Sequence, residues 1–296
     1  MKTIRDTAFR ADWIDKEPTV PVPKADWINW KNLDIAYGDD PLQQFDLYYP
    51  NSGEGPYPLC ILVHGGGFML CDKRDWHLYP GFFALEKGFA LASVNYRLTP
   101  ASPFPAALED ICQVIEYLHS HAQELMLDQD KVVLFGTSAG GNLVSVAGLE
   151  DRSNIVKAVA VLCPLVDLIA EQVYVETIDQ QNPLRMMLEG AFVPYLGAMP
   201  MDNPDFAAQA GILSHVWKTP PPFYIQHGDR DAAVPVRQAF ELADALRHAG
   251  GKVVLDILQD VDHAGAGPEF LEECNVIPII NFFKMCCERD AQGVKP

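Results

Sequence analysis

The chain has 296 residues, 49% hydrophobic and 21% charged, with a formal charge of −18 at neutral pH. This is an ordinary globular composition, which excludes a disordered or fibrous chain. The negative charge argues against nucleic acid or an anionic membrane surface as a partner, because both would be repelled.

Residues 1 to about 32 form a polar arm with three tryptophans, Trp13, Trp27 and Trp30, expected to dock on a domain or to roof a pocket. The segments 33–37 and 45–49 alternate apolar and polar residues about Gly38-Asp39-Asp40-Pro41, predicting two antiparallel strands at a sheet edge. Leu59 to Val63 is a continuous apolar run, as in a strand buried on both faces, and it stops at His64-Gly65-Gly66-Gly67-Phe68. Three successive glycines imply a backbone that comes very close to something. Phe89 to Val94 is the next strand, reached by a loop, and Leu108, Ile111, Cys112, Ile115 and Leu118 then repeat at helical spacing after Pro105.

Residues 131–135 predict a strand that runs into Gly136-Thr137-Ser138-Ala139-Gly140 and then into helix formers. Strand, sharp turn and helix with one serine at the apex are the context of a nucleophile elbow. Ala158 to Leu162 follows as a buried strand. Residues 166 to about 215, rich in proline, methionine and aromatics, break the rhythm and read as an inserted cap of short helices. A strand from Pro222 ends at His227-Gly228-Asp229-Arg230-Asp231, a helix begins at Pro235, and a last strand, 253–258, precedes Asp262-His263. The stretch 270–287 is helical, with a bend expected at Pro278.

The seven cysteines sit mostly in apolar runs and read as buried thiols, which favours a reducing compartment. No Cys-x-x-Cys pair or alternating Cys/His spacing suggests a zinc site. The N-terminus has no apolar core of signal-peptide length, and no window approaches the roughly 18 apolar residues of a membrane span. A soluble, cytoplasmic protein is expected. The edge strand near 33–49 and the last helix are surfaces through which two copies could pair as a homodimer.

Reactive groups in open α/β sheets collect beyond the carboxyl ends of the strands. Four apolar strands end at the glycine run, Ser138, Asp231 and His263, and the order serine, acid, histidine is that of the α/β-hydrolases. His263 is expected to take the Ser138 proton, and Asp231 to orient the imidazole. The backbone N–H groups of Gly66, Gly67 and Ala139 are the candidate oxyanion donors, with side chains at 65–67 expected to block the approach. Asp231 is preferred to Asp229 because it lies deeper in its loop. His227 and His64 read as satisfied structural histidines, Asp260 and Asp262 as loop residues, and Arg97 with Asp110 as a buried ion pair.

These residues carry a resemblance. The chain resembles the hormone-sensitive-lipase-like and acetyl-esterase branch of the α/β-hydrolases through 64–68, Tyr96-Arg97-Leu98-Thr99-Pro100, 103–110, Gly136 to Asn142, 227–231 and His263. The resemblance implies a mostly parallel sheet flanked by helices in one domain over 1–296. It implies hydrolysis of short-chain carboxylic esters, acetylated carbohydrates among them, with the roles above on Ser138, Asp231, His263, Gly66, Gly67 and Ala139. A small-molecule ester is the expected partner, and neither metal nor cofactor is required. Thr137 stands where many relatives are acidic, and Ala264-Gly265 follows His263 where Gly-Phe is common. Feruloyl esterases resemble this group closely, and a peptidase or a non-catalytic ligand-binding protein on the same fold is the alternative.

Overall fold

The computed structural model describes residues 23–264 and 268–289; Trp13 and the arm before residue 23 lie outside them. Eight strands form one sheet in the order β1-β2-β4-β3-β5-β6-β7-β8. They are β1 Lys31–Ala36, β2 Gln44–Tyr48, β3 Tyr57–Val63, β4 Ala90–Val94, β5 Leu127–Thr137, β6 Val156–Leu162, β7 Phe223–Gly228 and β8 Val253–Leu258. β1 pairs antiparallel with β2 and β2 antiparallel with β4, as the alternating segments predicted, whereas every pairing from β4 to β8 is parallel.

The continuous apolar runs are explained by where alternate side chains go. Leu59, Ile61 and Val63 of β3 and Val132 and Leu134 of β5 join a core on one sheet face. Cys60, Leu62, Val133 and Phe135 join a second core on the other face. Each such side chain contributes roughly 1.5–3 kcal/mol of burial. Helices α2 Ala106–Ser120, α3 Ala139–Glu150 and α7 Arg237–His248 cover the first face, and α1 Tyr79–Glu86 and α8 Glu273–Arg289 cover the second. α7 shows the logic in its sequence: Ala239, Leu242, Ala243 and Leu246 make a buried stripe.

Three expectations change. A loop was expected between β3 and β4, but the structure has a 3₁₀ turn, Trp76–Leu78, and then α1. Pro80, Gly81, Phe82, Ala84 and Leu85 of α1 are all buried, so it has too little polar face to show a helical period. The cysteines divide: Cys60, Cys163 and Cys287 are buried, while Cys71 and Cys274 are exposed. α8 runs through Pro278 as one helix.

Between β6 and β7 lie α4 Leu168–Val175, α5 Pro183–Leu196 and α6 Pro204–Ala210. Asp167 caps α4 by accepting from the N–H groups of Ile169 and Ala170. Asn182 caps α5, Pro183 opens it, and Gly197 ends it in the left-handed conformation. Tyr195 of α5 lies flat on Phe68, ring centroids 3.8 Å apart, and Phe104 meets it edge-on. In the arm, Trp30 stacks on Tyr49 and Trp27 meets Phe82, both in docking contacts.

Arg97 and Asp110 do form an ion pair, at 2.7 Å. The fully buried Asp110 carboxylate also accepts from the Gln43 amide at 2.7 Å and the Arg97 N–H at 2.8 Å, tying α2 to the segments after β1 and β4. Replacing Asp110 with Ala strands these donors, so Asp110→Ala should lose about 3 kcal/mol of stability in urea denaturation. A loss under about 1 kcal/mol would show that the pair does not hold this junction.

Candidate active site

β5 delivers Ser138 at the first turn of α3 with φ +54° and ψ −117°, a conformation that side chains rarely adopt. Its N–H donates to Leu162 O at 2.8 Å, and its carbonyl accepts from Asn142 N–H at 3.0 Å, so strand and helix hold the strained residue between them. The turn requires α3 to pass hard against the end of β3. A Cβ on Gly140 would lie 2.3 Å from His64 O and 2.4 Å from Val63 O, which only glycine avoids.

The loop beyond β3 is braced from behind. His64 Nδ1 lies 2.8 Å from Gly65 O, its ring stacks on Tyr96 at 4.5 Å, and the Tyr96 hydroxyl donates to His64 O at 3.0 Å. Gly66 has φ +101°, and a Cβ there would come within 2.4 Å of Leu70 O. Blocking is not the reason for glycine at 67: its Cβ would find nothing closer than 4.0 Å, and φ +59° is what favours it. The N–H groups of Gly66, Gly67 and Ala139 donate to no protein acceptor among the described residues.

Asp231 and His263 come from the loops after β7 and β8. His263 Nε2 is 3.0 Å from Ser138 Oγ, and His263 Nδ1 is 2.7 Å from Asp231 Oδ2. Asp231 Oδ1 accepts from Ala233 N–H at 2.9 Å and Val234 N–H at 2.8 Å. The structure thus brings together the three side chains singled out in the sequence. Burial opposes charge on both partners, yet their mutual attraction prevails: the Asp231 carboxyl is held well below the usual carboxylate range, and His263 well above the ordinary imidazole value. Asp229 stays apart, accepting from Asp260 N–H at 2.6 Å in the turn. Asp262 accepts from the N–H groups of Ala232 and His263, tying the two loops.

Two neighbours differ from, or are missing from, the sequence reading. His227 is not fully satisfied. Its Nε2 donates to Val234 O at 2.9 Å and lies 3.1 Å from Asp231 Oδ2, while its buried Nδ1 has no partner among the described residues. Glu171 of α4 is 2% exposed, accepts from Gln238 Nε2 at 2.6 Å, and has its other oxygen unpartnered among the described residues. Burial first, then the Asp231 charge, push its carboxyl up to about 8, so it is protonated at neutral pH. Sequence spacing gives no signal for it, because its partner Gln238 lies 67 residues away on another helix, α7.

A largely parallel sheet with a strained serine between strand and helix, followed by acid and histidine at later strand ends, defines the α/β-hydrolase fold. The BD-FAE family model matches residues 45–246, and the chain belongs to that family. It is similar to esterase LipQ of Mycobacterium tuberculosis (strain ATCC 25618 / H37Rv), 28% identical over 67% of this chain and 47% of that protein. It is also similar to a probable isoprenylcysteine alpha-carbonyl methylesterase of Arabidopsis thaliana, 23% identical over 77% of this chain and 50% of that one. The chain thus spans about half the length of these curated relatives. Among solved structures, a truncated carbohydrate esterase from gut microbiota superposes with a TM-score of 0.77 at 21% identity, covering 90% of this chain and all of that one. A bacterial heroin esterase superposes with a TM-score of 0.69 at 26% identity, covering 90% and 86%. Among the described residues, no helix is long and apolar enough to cross a membrane.

Glu171 yields a test with a definite sign. An unfolded glutamate titrates near ~4.3, so between there and about 8 the folded chain holds a proton that the unfolded chain has released, and stability falls as pH rises through this window. Glu171→Gln removes the proton and keeps the shape. Its melting temperature should gain on the parent from about pH 5 to about pH 8; a constant difference across thermal melts would refute the buried neutral acid.

Proposed function

We propose that the chain is a serine esterase that hydrolyses short-chain carboxylic esters through an acyl-enzyme on Ser138. The observation that carries this reading is His263 bridging Ser138 Oγ at 3.0 Å and Asp231 at 2.7 Å. The names of its relatives, esterases and a methylesterase, support the same reaction class.

A serine hydroxyl is a weak nucleophile at neutral pH. His263 accepts its proton through Nε2 as Oγ attacks the ester carbonyl, and the Nδ1–H bond to Asp231 keeps the imidazole in the tautomer that leaves Nε2 free to accept. The same Asp231 charge stabilises the imidazolium that forms. Charge develops on the carbonyl oxygen, and the N–H groups of Gly66, Gly67 and Ala139, which have no other acceptor among the described residues, are its donors. His263 returns the proton to the leaving alcohol, and a water repeats the sequence to free the acid. The insertion of residues 166–215 caps the acyl side, with Tyr195 resting on Phe68 beside the glycine loop. Simple alkyl esters and acetylated carbohydrates are the substrate classes that suit a small acyl site. The same geometry would serve an amide, which asks more of His263 as an acid.

Ser138→Ala should lower turnover of p-nitrophenyl acetate by about 10⁴-fold or more, to a residue supplied by the donors and by binding. The wild-type rate across p-nitrophenyl esters should fall beyond about four acyl carbons. Unchanged acetate hydrolysis in the variant would sink the nucleophile assignment, and a preference for long chains would sink the small acyl site.

A further inference from the structure

The segment between the glycine loop and α1 gathers three groups that ester hydrolysis leaves unused. Cys71, Asp75 and His77 each present one ligand atom, and these atoms lie within 4.8 Å of one another. His77 is 4% exposed, with Nδ1 at 2.7 Å from Asp75 Oδ1 and its ring stacked on Trp76 at 3.7 Å. Its Nε2 makes no hydrogen bond among the described residues. Asp75 also accepts from the N–H groups of His77 at 2.9 Å and Asp72 at 3.1 Å, so the carboxylate is fixed in place by the turn it caps. Cys71 sits at φ +80°, where residues other than glycine are uncommon. This backbone turns an exposed residue's sulfur inward: Sγ lies 2.9 Å from where a Cβ on Gly66 would be.

We propose that Cys71, Asp75 and His77 bind one borderline-soft divalent cation, zinc foremost. Thiolate, carboxylate and imidazole are the donors that zinc takes at four-coordinate sites, whereas magnesium and calcium prefer oxygen alone. Three protein donors leave the fourth position to water, on the side where Cys71 meets solvent. The chain's charge of −18 attracts cations to its surface in general. The spacing Cys-x₃-Asp-x-His escapes a search for paired cysteines and histidines because one donor is a carboxylate.

Cys163, His227 and Asp231 form a second set of the same donor types. An ion there would compete with His263 for Asp231 and break the bridge to Ser138. At Asp75 the imidazole that bonds the carboxylate is itself a ligand, so an ion replaces that contact and strands no backbone group. On binding, the Cys71 thiol gives its proton to solvent, and the imidazole keeps one proton on the nitrogen that does not face the metal. The sulfur packed against Gly66 is then tied to Asp75 and His77, so occupancy stiffens the glycine loop from outside. The proposal does not depend on the chain being an esterase.

The test uses the full chain, stripped with a chelator, and zinc alone in calorimetry. One zinc per chain is expected, and cobalt should give a thiolate-to-metal charge-transfer band. Cys71→Ser, a near-isosteric change at an exposed residue, should abolish the band and weaken zinc binding by about 100-fold or more, with the fold checked by circular dichroism. Cys163→Ser should keep both signals. No stoichiometric zinc, a cobalt band that survives Cys71→Ser, or one that vanishes in Cys163→Ser would each overturn the proposal.

Discussion

The site depends on how closely two neighbouring backbones approach. The end of β3 and the first turn of α3 meet with nothing between them, since a single methyl on Gly140 would overlap two carbonyls of the β3 terminus. That contact brings the glycine loop against Ser138, with a Cβ on Gly65 only 3.2 Å from Ser138 Cβ. It also forces the sharp exit from β5 that holds Ser138 at φ +54°. The strain is repaid by burial, because β5 is paired on both edges and packed on both faces. Distant alternation in β3 and β5 thus supports a conformation that neither segment would adopt alone.

Two carboxyl groups in one neighbourhood take opposite charge states. Asp231 and Glu171 are both deeply buried, and burial works against charge on each. Asp231 has the His263 imidazole at 2.7 Å and the His227 imidazole at 3.1 Å, which together more than offset its desolvation. Glu171 has one neutral amide and the field of Asp231, so it keeps its proton. Hydrogen-bond donors decide between them, not depth. Protonation of Glu171 in turn spares Asp231 a second negative charge nearby.

Much of this was legible in the sequence because parallel strands convert apolar runs into addresses. Val132 to Phe135 and Val253 to Leu258 each mark a strand, and the residues just past each run fall along one edge of the sheet. That is why Ser138, Asp231 and His263, 125 residues apart at the extremes, could be grouped before any coordinates. What stayed hidden has a different origin. α1 has too little polar face to set a helical period, and His227 reads as an ordinary strand-end histidine until its distance to Asp231 is known. Glu171 sits in α4 and meets Gln238 of α7, 67 residues on, while Cys71 and Asp75 lie in a loop that leads into the 3₁₀ turn of His77, so no repeat relates these positions to one another.

The flat stack of Tyr195 on Phe68 has a consequence for how such a chain can diversify. Phe68 directly follows the glycine loop, so α5 and that loop share one aromatic contact. Transplanting residues 183–196 from another protein would therefore not be a neutral exchange of one helix for another. A donor segment without a ring at position 195 would leave Phe68 bare and the loop without its outer support. Selection on what the chain accommodates and selection on how fast it works would then act on the same pair of side chains.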